Sequence, residues 1–145
     1  MKLTDEERRI VVGLQMEKAH RFLEQADEMC RQKYWDIASN RYYYACYHAV
    51  QALLIKNELV AHTHDGLLTQ FGLHFVKAGK VESRLGAFLS RMEQLREKGD
   101  YNCFYSITEE ELNHSGLQVQ RFLRYHGNEI SYSNIHESSP LGRSR

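Results

Sequence analysis

The chain has 145 residues, which is enough for one domain with its own hydrophobic core and too few for two ordinary domains. Its 19 lysines and arginines balance its 19 aspartates and glutamates, so any nucleic-acid site must be a local patch rather than an overall positive field. Three cysteines without a Cys-x-x-Cys pair, and no apolar run near the roughly 18 residues of a membrane span, favour a cytoplasmic protein without disulfides, zinc or membrane contact.

The first third of the chain carries two long helical patterns. Thr4 and Glu7 have the spacing of a capping box, which predicts the start of helix one, and the apolar stripe that follows ends near Gln32. Helix two is predicted from about Tyr34 to Asn57. Residues with apolar bodies occur around its whole circumference, so we expect it to lie at the centre of a bundle.

Two shorter helices are predicted in the middle of the chain. Polar residues at 60–65 indicate a loop, in which His62 and His64 are interpreted as solvated side chains. A short third helix is predicted to end near Gly79. The stripe of helix four is predicted to stop at Gly99, because glycine suits the left-handed conformation that follows a helix end.

The last helix begins with a strong local signal. Thr108 and Glu111 form a second capping box, and the apolar stripe behind it ends near Tyr125. No segment alternates apolar and polar residues as a strand would. The sequence therefore predicts an all-α, up-and-down bundle of about five helices over residues 1–126, followed by a polar, mobile tail at residues 127–145.

Two Glu-x-x-His pairs have the spacing found in di-iron bundles. They are Glu17 with His20 and Glu111 with His114. At about 100° per residue, both pairs fall off the apolar stripes of their helices, so they would not converge in the core. We therefore expect no metal site and no cofactor.

Helix two carries the most informative polar residues. Arg41 and His48 are seven residues apart and Tyr44 lies between them, so all three share one stripe. Histidine can move protons in RNA cleavage, and arginine can offset charge on the phosphate. One histidine cannot be acid and base at once, but a symmetric dimer would supply two. The alternative is that these are buried structural residues with satisfied hydrogen bonds.

At this point the sequence resembles a known family. The stretch Ala38-Ser-Asn-Arg-Tyr-Tyr-Tyr-Ala-Cys-Tyr-His-Ala-Val-Gln-Ala-Leu-Leu is similar to the second-helix signature A-x-x-R-x-Y-Y-A-x-[FY]-H-A-x-x-A-L-L of HEPN domains (higher eukaryotes and prokaryotes nucleotide-binding). Later, Arg96-Glu-Lys-Gly-Asp100-Tyr101 resembles the R-x-x-[AG]-D-Y element of a bacterial branch. The resemblance spans about residues 8 to 125.

The resemblance implies a helical bundle that forms a homodimer. It also implies a partner protein, a small nucleotidyltransferase, in a toxin–antitoxin or phage-defence setting. Catalytic branches of the family are metal-independent ribonucleases with an arginine, four to six residues and a histidine late in the bundle. Here Asp100 stands where that histidine is expected after Arg96. The structural alternative is that these two residues cap helix four and hold Tyr101 against helix two.

The leading hypothesis is a HEPN-type module that dimerises and binds a partner protein. Its pocket for a nucleotide or RNA would be lined by the polar and aromatic residues of both motifs: Arg41, Tyr44, His48, Arg96, Asp100 and Tyr101. The first alternative is a metal-independent ribonuclease toxin that uses Arg41 with His48, or Arg96 with Asp100. The second is a purely structural helical adaptor.

Overall fold

The computed structural model describes the backbone of residues 2–138 and, within it, the side chains of residues 2–127. This part of the chain contains five α-helices and no strand, so the predicted all-α bundle is confirmed. None of the described helices combines the length and the apolarity that a membrane crossing requires. The helices are α1 (Asp5–Arg31), α2 (Trp35–Lys56), α3 (His64–Phe71), α4 (Ser83–Tyr101) and α5 (Ser115–Ser138).

Helix α2 lies at the centre of the bundle, as its apolar circumference predicts. Half of its 22 residues are buried, and it packs against α1, α3, α4 and α5. Several of the buried positions are alanines, whose small side chains let the neighbouring helices approach closely. The polar residues of α2 lie in the gaps between these neighbouring helices.

Helices α1 and α2 form a tight hairpin. The capping box at Thr4 and Glu7 is present with both of its hydrogen bonds, and the predicted bounds of both helices are confirmed to within two residues. Only three residues connect the helices. Among them Lys33 takes a left-handed conformation with φ of 65°, which reverses the chain.

Helix α3 begins at His64, inside the segment expected to be a loop. The side chain of Thr63 caps it by accepting a hydrogen bond from the Gly66 amide. The helix continues into a π-helical turn at Gly72–Val76. The predicted end near Gly79 is confirmed, because Gly79 follows that turn with a φ of 78°.

The predicted stop of helix four at Gly99 is wrong, because α4 continues through this residue to Tyr101. The glycine is needed for packing instead. A Cβ at Gly99 would lie 2.6 Å from Cδ1 of Ile107, which is itself buried. The same close approach lets the Asp36 carboxylate accept a hydrogen bond from the Ile107 amide.

The fifth helix also starts later than predicted. The capping box at Thr108 and Glu111 is present, but it caps a single 3-10 turn, Glu110–Leu112. The chain then turns through His114, whose φ is 66°, and α5 begins at Ser115. The capping box therefore marks the start of this 3-10 turn, which ends before α5 begins.

Helix α5 ends at Ser138 rather than near Tyr125. Its backbone therefore continues into the segment expected to be a tail, while residues 139–145 lie outside the described residues. Serine and asparagine lower helix propensity by only a few tenths of a kcal/mol each, and no proline occurs before Pro140. An established helix therefore extends through such a composition.

We predict that Gly116 is required for the close approach of α5 to α1 and α2. A Cβ at this position would lie 2.8 Å from Oδ1 of Asp27 and 2.9 Å from the Tyr42 hydroxyl, which donates a hydrogen bond to that oxygen. Gly116→Ala should lower the free energy of unfolding in urea by about 1–3 kcal/mol. Gly13→Ala is the matched control, because nothing lies within 4 Å of its Cβ. That variant should gain about 0.5–1 kcal/mol, and a similar gain for Gly116→Ala would contradict the prediction.

Candidate functional site

Helix α2 and the start of α3 form a cluster of aromatic rings. Tyr43, Tyr44 and Tyr47 surround the imidazole of His64, with ring centroids 5.2–5.6 Å from it. The interpretation of His64 as a solvated loop residue is therefore wrong. Its position at the first turn of α3 brings it over α2, whereas His62 is exposed.

Both nitrogens of His64 contact tyrosine hydroxyls. The Tyr43 hydroxyl lies 2.9 Å from Nδ1 and the Tyr44 hydroxyl lies 3.3 Å from Nε2. A neutral imidazole has one donor and one acceptor nitrogen, so one tyrosine donates to the ring while the other accepts from it. Burial raises the pKa of both tyrosines, which keeps their hydroxyls protonated at neutral pH.

Arg96 forms the centre of an ionic cluster with Glu93 and Asp100. Its guanidinium lies 2.6 Å from the Glu93 carboxylate and 3.5 Å from the Asp100 carboxylate, and Arg96 is only 5% exposed. Burial tends to lower the pKa of Arg96, but the hydrogen bond and the charge of Glu93 outweigh it and raise that pKa. Asp100 also accepts a hydrogen bond of 2.9 Å from the Asn40 amide.

The structural interpretation of this motif is correct in one part and wrong in another. Arg96 and Asp100 do pair within the last turns of α4. Tyr101 is not held against α2, because it is 76% exposed, although its ring lies 5.8 Å from Cζ of Arg96. Sequence reasoning missed Glu93, the strongest partner of Arg96. Its position three residues earlier on the same helix is the signal that could have identified it.

A second arginine, Arg41, lies on the face that α2 shares with α1. Its Cζ lies 4.7 Å from the ring centroid of Phe22, and Lys18 lies 5.7 Å from the same ring. Arg21 is exposed on α1, the helix that also carries Lys18 and Phe22. Within the described residues, none of these three cations forms a salt bridge. They form a cationic face that we define by Lys18, Arg21, Phe22, Arg41 and His48.

His48 is positioned on this face by α1. Its Nδ1 lies 2.7 Å from the side-chain oxygen of Gln15, and its ring meets Phe22 edge to face at 5.2 Å. Because an amide oxygen only accepts, Nδ1 carries the proton and Nε2 keeps its lone pair. Burial, together with the charges of Lys18 and Arg21, lowers the pKa of His48 to about 4. The imidazole is therefore neutral at neutral pH.

The structure divides the predicted pocket into two parts. Arg41 and His48 share the half-exposed cationic face, whereas Arg96 belongs to the ionic cluster of α4, in which Arg96 and Glu93 are buried and Asp100 is exposed. Asn40 connects them, because its side chain accepts from Arg41 at 3.4 Å and donates to Asp100. Tyr44 lies between them, with its ring 6.5 Å from His48 and 5.8 Å from Cζ of Arg96.

The described side chains contain no group of three or more histidine, cysteine or acidic residues that could hold a metal ion. Glu17 and His20 are both exposed on α1, in agreement with their predicted place off the apolar stripe. The chemistry available at the cationic face is that of guanidinium, ammonium, imidazole and phenyl groups.

The sequence is similar to proteins of one family. The family model described as "HEPN domain" matches residues 13–130. A protein of Thermotoga maritima named "UPF0332 protein" is 35% identical over 73% of this chain and 80% of its own length. Two proteins of Methanocaldococcus jannaschii carry the name "Putative toxin". One is 32% identical over 74% of this chain and 80% of its own length, and the other is 29% identical over 66% and 65%.

The burial of Arg96 generates a prediction about stability. Arg96→Ala would leave Glu93 buried without its cation, so we expect the free energy of unfolding in urea to fall by about 3 kcal/mol or more. The matched variant Asp100→Ala removes a longer and more exposed ion pair and should cost less than about 1 kcal/mol. Equal losses in the two variants would contradict this assignment of Arg96 to the structure.

Proposed function

Because the chain belongs to the HEPN domain family, we propose that it is a HEPN module whose cationic face binds the phosphate groups of RNA or of a nucleotide. One observation carries the proposal. Lys18, Arg21 and Arg41 lie together without a carboxylate partner among the described residues, beside a histidine that is neutral. Cations that no protein carboxylate neutralises are available to phosphate.

The geometry of Arg41 supports phosphate binding in a second way. The ring of Phe22 and the Asn40 side chain hold its guanidinium in place, so less side-chain entropy is lost when it binds an anion. Arg96 is a poor alternative, because it is buried and already paired with two carboxylates. The half-exposed rings of Tyr44 and Tyr47 adjoin His48 and offer surfaces on which a base could stack.

We predict that removing the positive charge of Arg41 or of Lys18 weakens RNA binding. Arg41→Ala and Lys18→Ala should each weaken the binding of a labelled single-stranded RNA by about fivefold in fluorescence anisotropy, which corresponds to about 1 kcal/mol. Each should also reduce the dependence of log Kd on log salt concentration by about one unit, because one phosphate contact is lost.

Lys77→Ala is the matched control for this measurement. Lys77 is exposed at the end of the π-helical turn and lies outside the cationic face, so its removal should leave RNA binding unchanged. A loss as large as that of Arg41→Ala would mean that RNA binds to the surface charge in general. No binding by the wild type would favour the structural adaptor.

Ribonuclease activity is the second candidate, and His48 is the observation that favours it. The hydrogen bond to Gln15 leaves Nε2 of His48 free to accept a proton. His48 and Arg41 both contact the ring of Phe22. A base with a pKa of about 4 is weak at neutral pH, and general bases work best with a pKa near the operating pH.

We therefore expect RNA to bind to the protein and remain intact. The measurement is incubation of a mixed RNA pool with the purified protein in the absence of metal, beside His48→Ala and Asp100→Ala variants. Cleavage that disappears in folded His48→Ala but survives in Asp100→Ala would contradict binding without catalysis. It would identify His48 as the catalytic residue.

We extend the proposal to a homodimer that works with a nucleotidyltransferase in the cytoplasm, as part of a toxin–antitoxin pair. The two relatives named as toxins support the setting.

Phe104 is 98% exposed close to the exposed Tyr101, and their burial in a symmetric interface would be favourable. Light scattering should give the mass of a dimer for the wild type and a smaller mass for Phe104→Ser. A monomeric wild type would contradict the dimer.

A further inference from the structure

A groove lies between α4 and α5, two helices that carry none of the residues of the cationic face. Both helices pack against α2, and they contact each other far less closely than they contact it. The space between them has a volume of about 560 Å³. We call it the arginine groove and define it by Arg84, Leu85 and Phe88 of α4 with Arg121, Arg124 and Tyr125 of α5.

The rim of the arginine groove is strongly positive. Arg84 pairs with Glu82 at 2.6 Å. Arg121 and Arg124 are exposed one turn apart on α5, and neither forms a salt bridge within the described part of the chain. Arg91 adds a further positive charge where it donates to Gln118 across the groove. An occupant must therefore bring negative charge.

The floor of the groove is apolar. Leu85 and Phe88 are half-buried, and they belong to the stripe with which α4 packs on the bundle. Arg91 covers one part of the Phe88 ring at 5.4 Å, and Phe122 packs against it at 6.0 Å. This leaves little of the ring free to stack on a nucleic-acid base, while aliphatic side chains can still pack on the floor.

We propose that the arginine groove docks an acidic amphipathic helix of a partner protein. The apolar face of that helix would cover Leu85 and the part of Phe88 that Arg91 and Phe122 leave open, and its carboxylates would meet the guanidinium groups of Arg121 and Arg124. The groove can take the apolar edge of a third helix beside the points where Arg91 and Phe88 of α4 contact Gln118 and Phe122 of α5, and one helix laid in a groove between two others is a common mode of recognition. The proposal is independent of RNA binding, which lies on α1 and α2.

The test uses two synthetic peptides of about 18 residues as probes, long enough to form a helix. Both have leucines at helical spacing; one carries glutamates on its polar face and the other glutamines. In fluorescence anisotropy with the full chain, the glutamate peptide should bind more tightly than the glutamine peptide. Arg121→Glu with Arg124→Glu should weaken its binding by about tenfold or more.

The matched control makes the same change of charge on the other face. Lys18→Glu with Arg21→Glu should leave peptide binding within about twofold and abolish RNA binding. Equal binding of the two peptides would overturn the proposal, as would equal effects of the two double variants on the glutamate peptide. Loss of RNA binding in Arg121→Glu with Arg124→Glu alone would also overturn it, in favour of a nucleic-acid groove. Circular dichroism verifies that all variants are helical.

Discussion

The central position of α2, in contact with four other helices, is the constraint from which the remaining architecture follows. A helix in this position is more stable when its polar side chains have partners on other elements, since an unpaired polar group in the interior costs roughly 1–3 kcal/mol. Here three of its four neighbours each supply a partner: α1 gives Gln15 to His48, α3 gives His64 to Tyr43 and Tyr44, and α4 brings Asp100 to Asn40. The polar residues of α2 thereby specify how its neighbours are arranged.

Two arginines show how environment decides what one residue type does. Arg96 is surrounded by carboxylates and tyrosine rings, and its charge is used to hold α4 against α2. Among the described residues, the contacts of Arg41 are a phenyl ring and an amide oxygen, and no carboxylate neutralises its charge. Asn40 accepts a hydrogen bond from Arg41 and donates one to Asp100, a partner of Arg96. Each arginine belongs to one of the two motifs that carry the family resemblance, and the structure gives them different surroundings.

The sequence predicted most reliably those features that depend on one element alone. The bounds of α1 and α2 follow from capping and periodicity, and the shared stripe of Arg41 and His48 follows from helical geometry. Several of the failures involve contacts between elements. Gly99 has the residue type of a helix end, but the approach of Ile107 explains it. Likewise, Phe22 and Gln15 reach α2 only through the packing of α1, which no local pattern encodes.

The three-residue connection between α1 and α2 bears on how the chain folds. A connection this short joins the two helices that pack most extensively, so the largest interface in the bundle is formed by neighbours in sequence. Such local contacts cost little loop-closure entropy, which favours an early folding nucleus in this hairpin. Helix α5 must then join from a distant part of the chain. Changes in α5 should therefore act mainly on the rate of unfolding, whereas changes at the α1–α2 interface should slow folding itself.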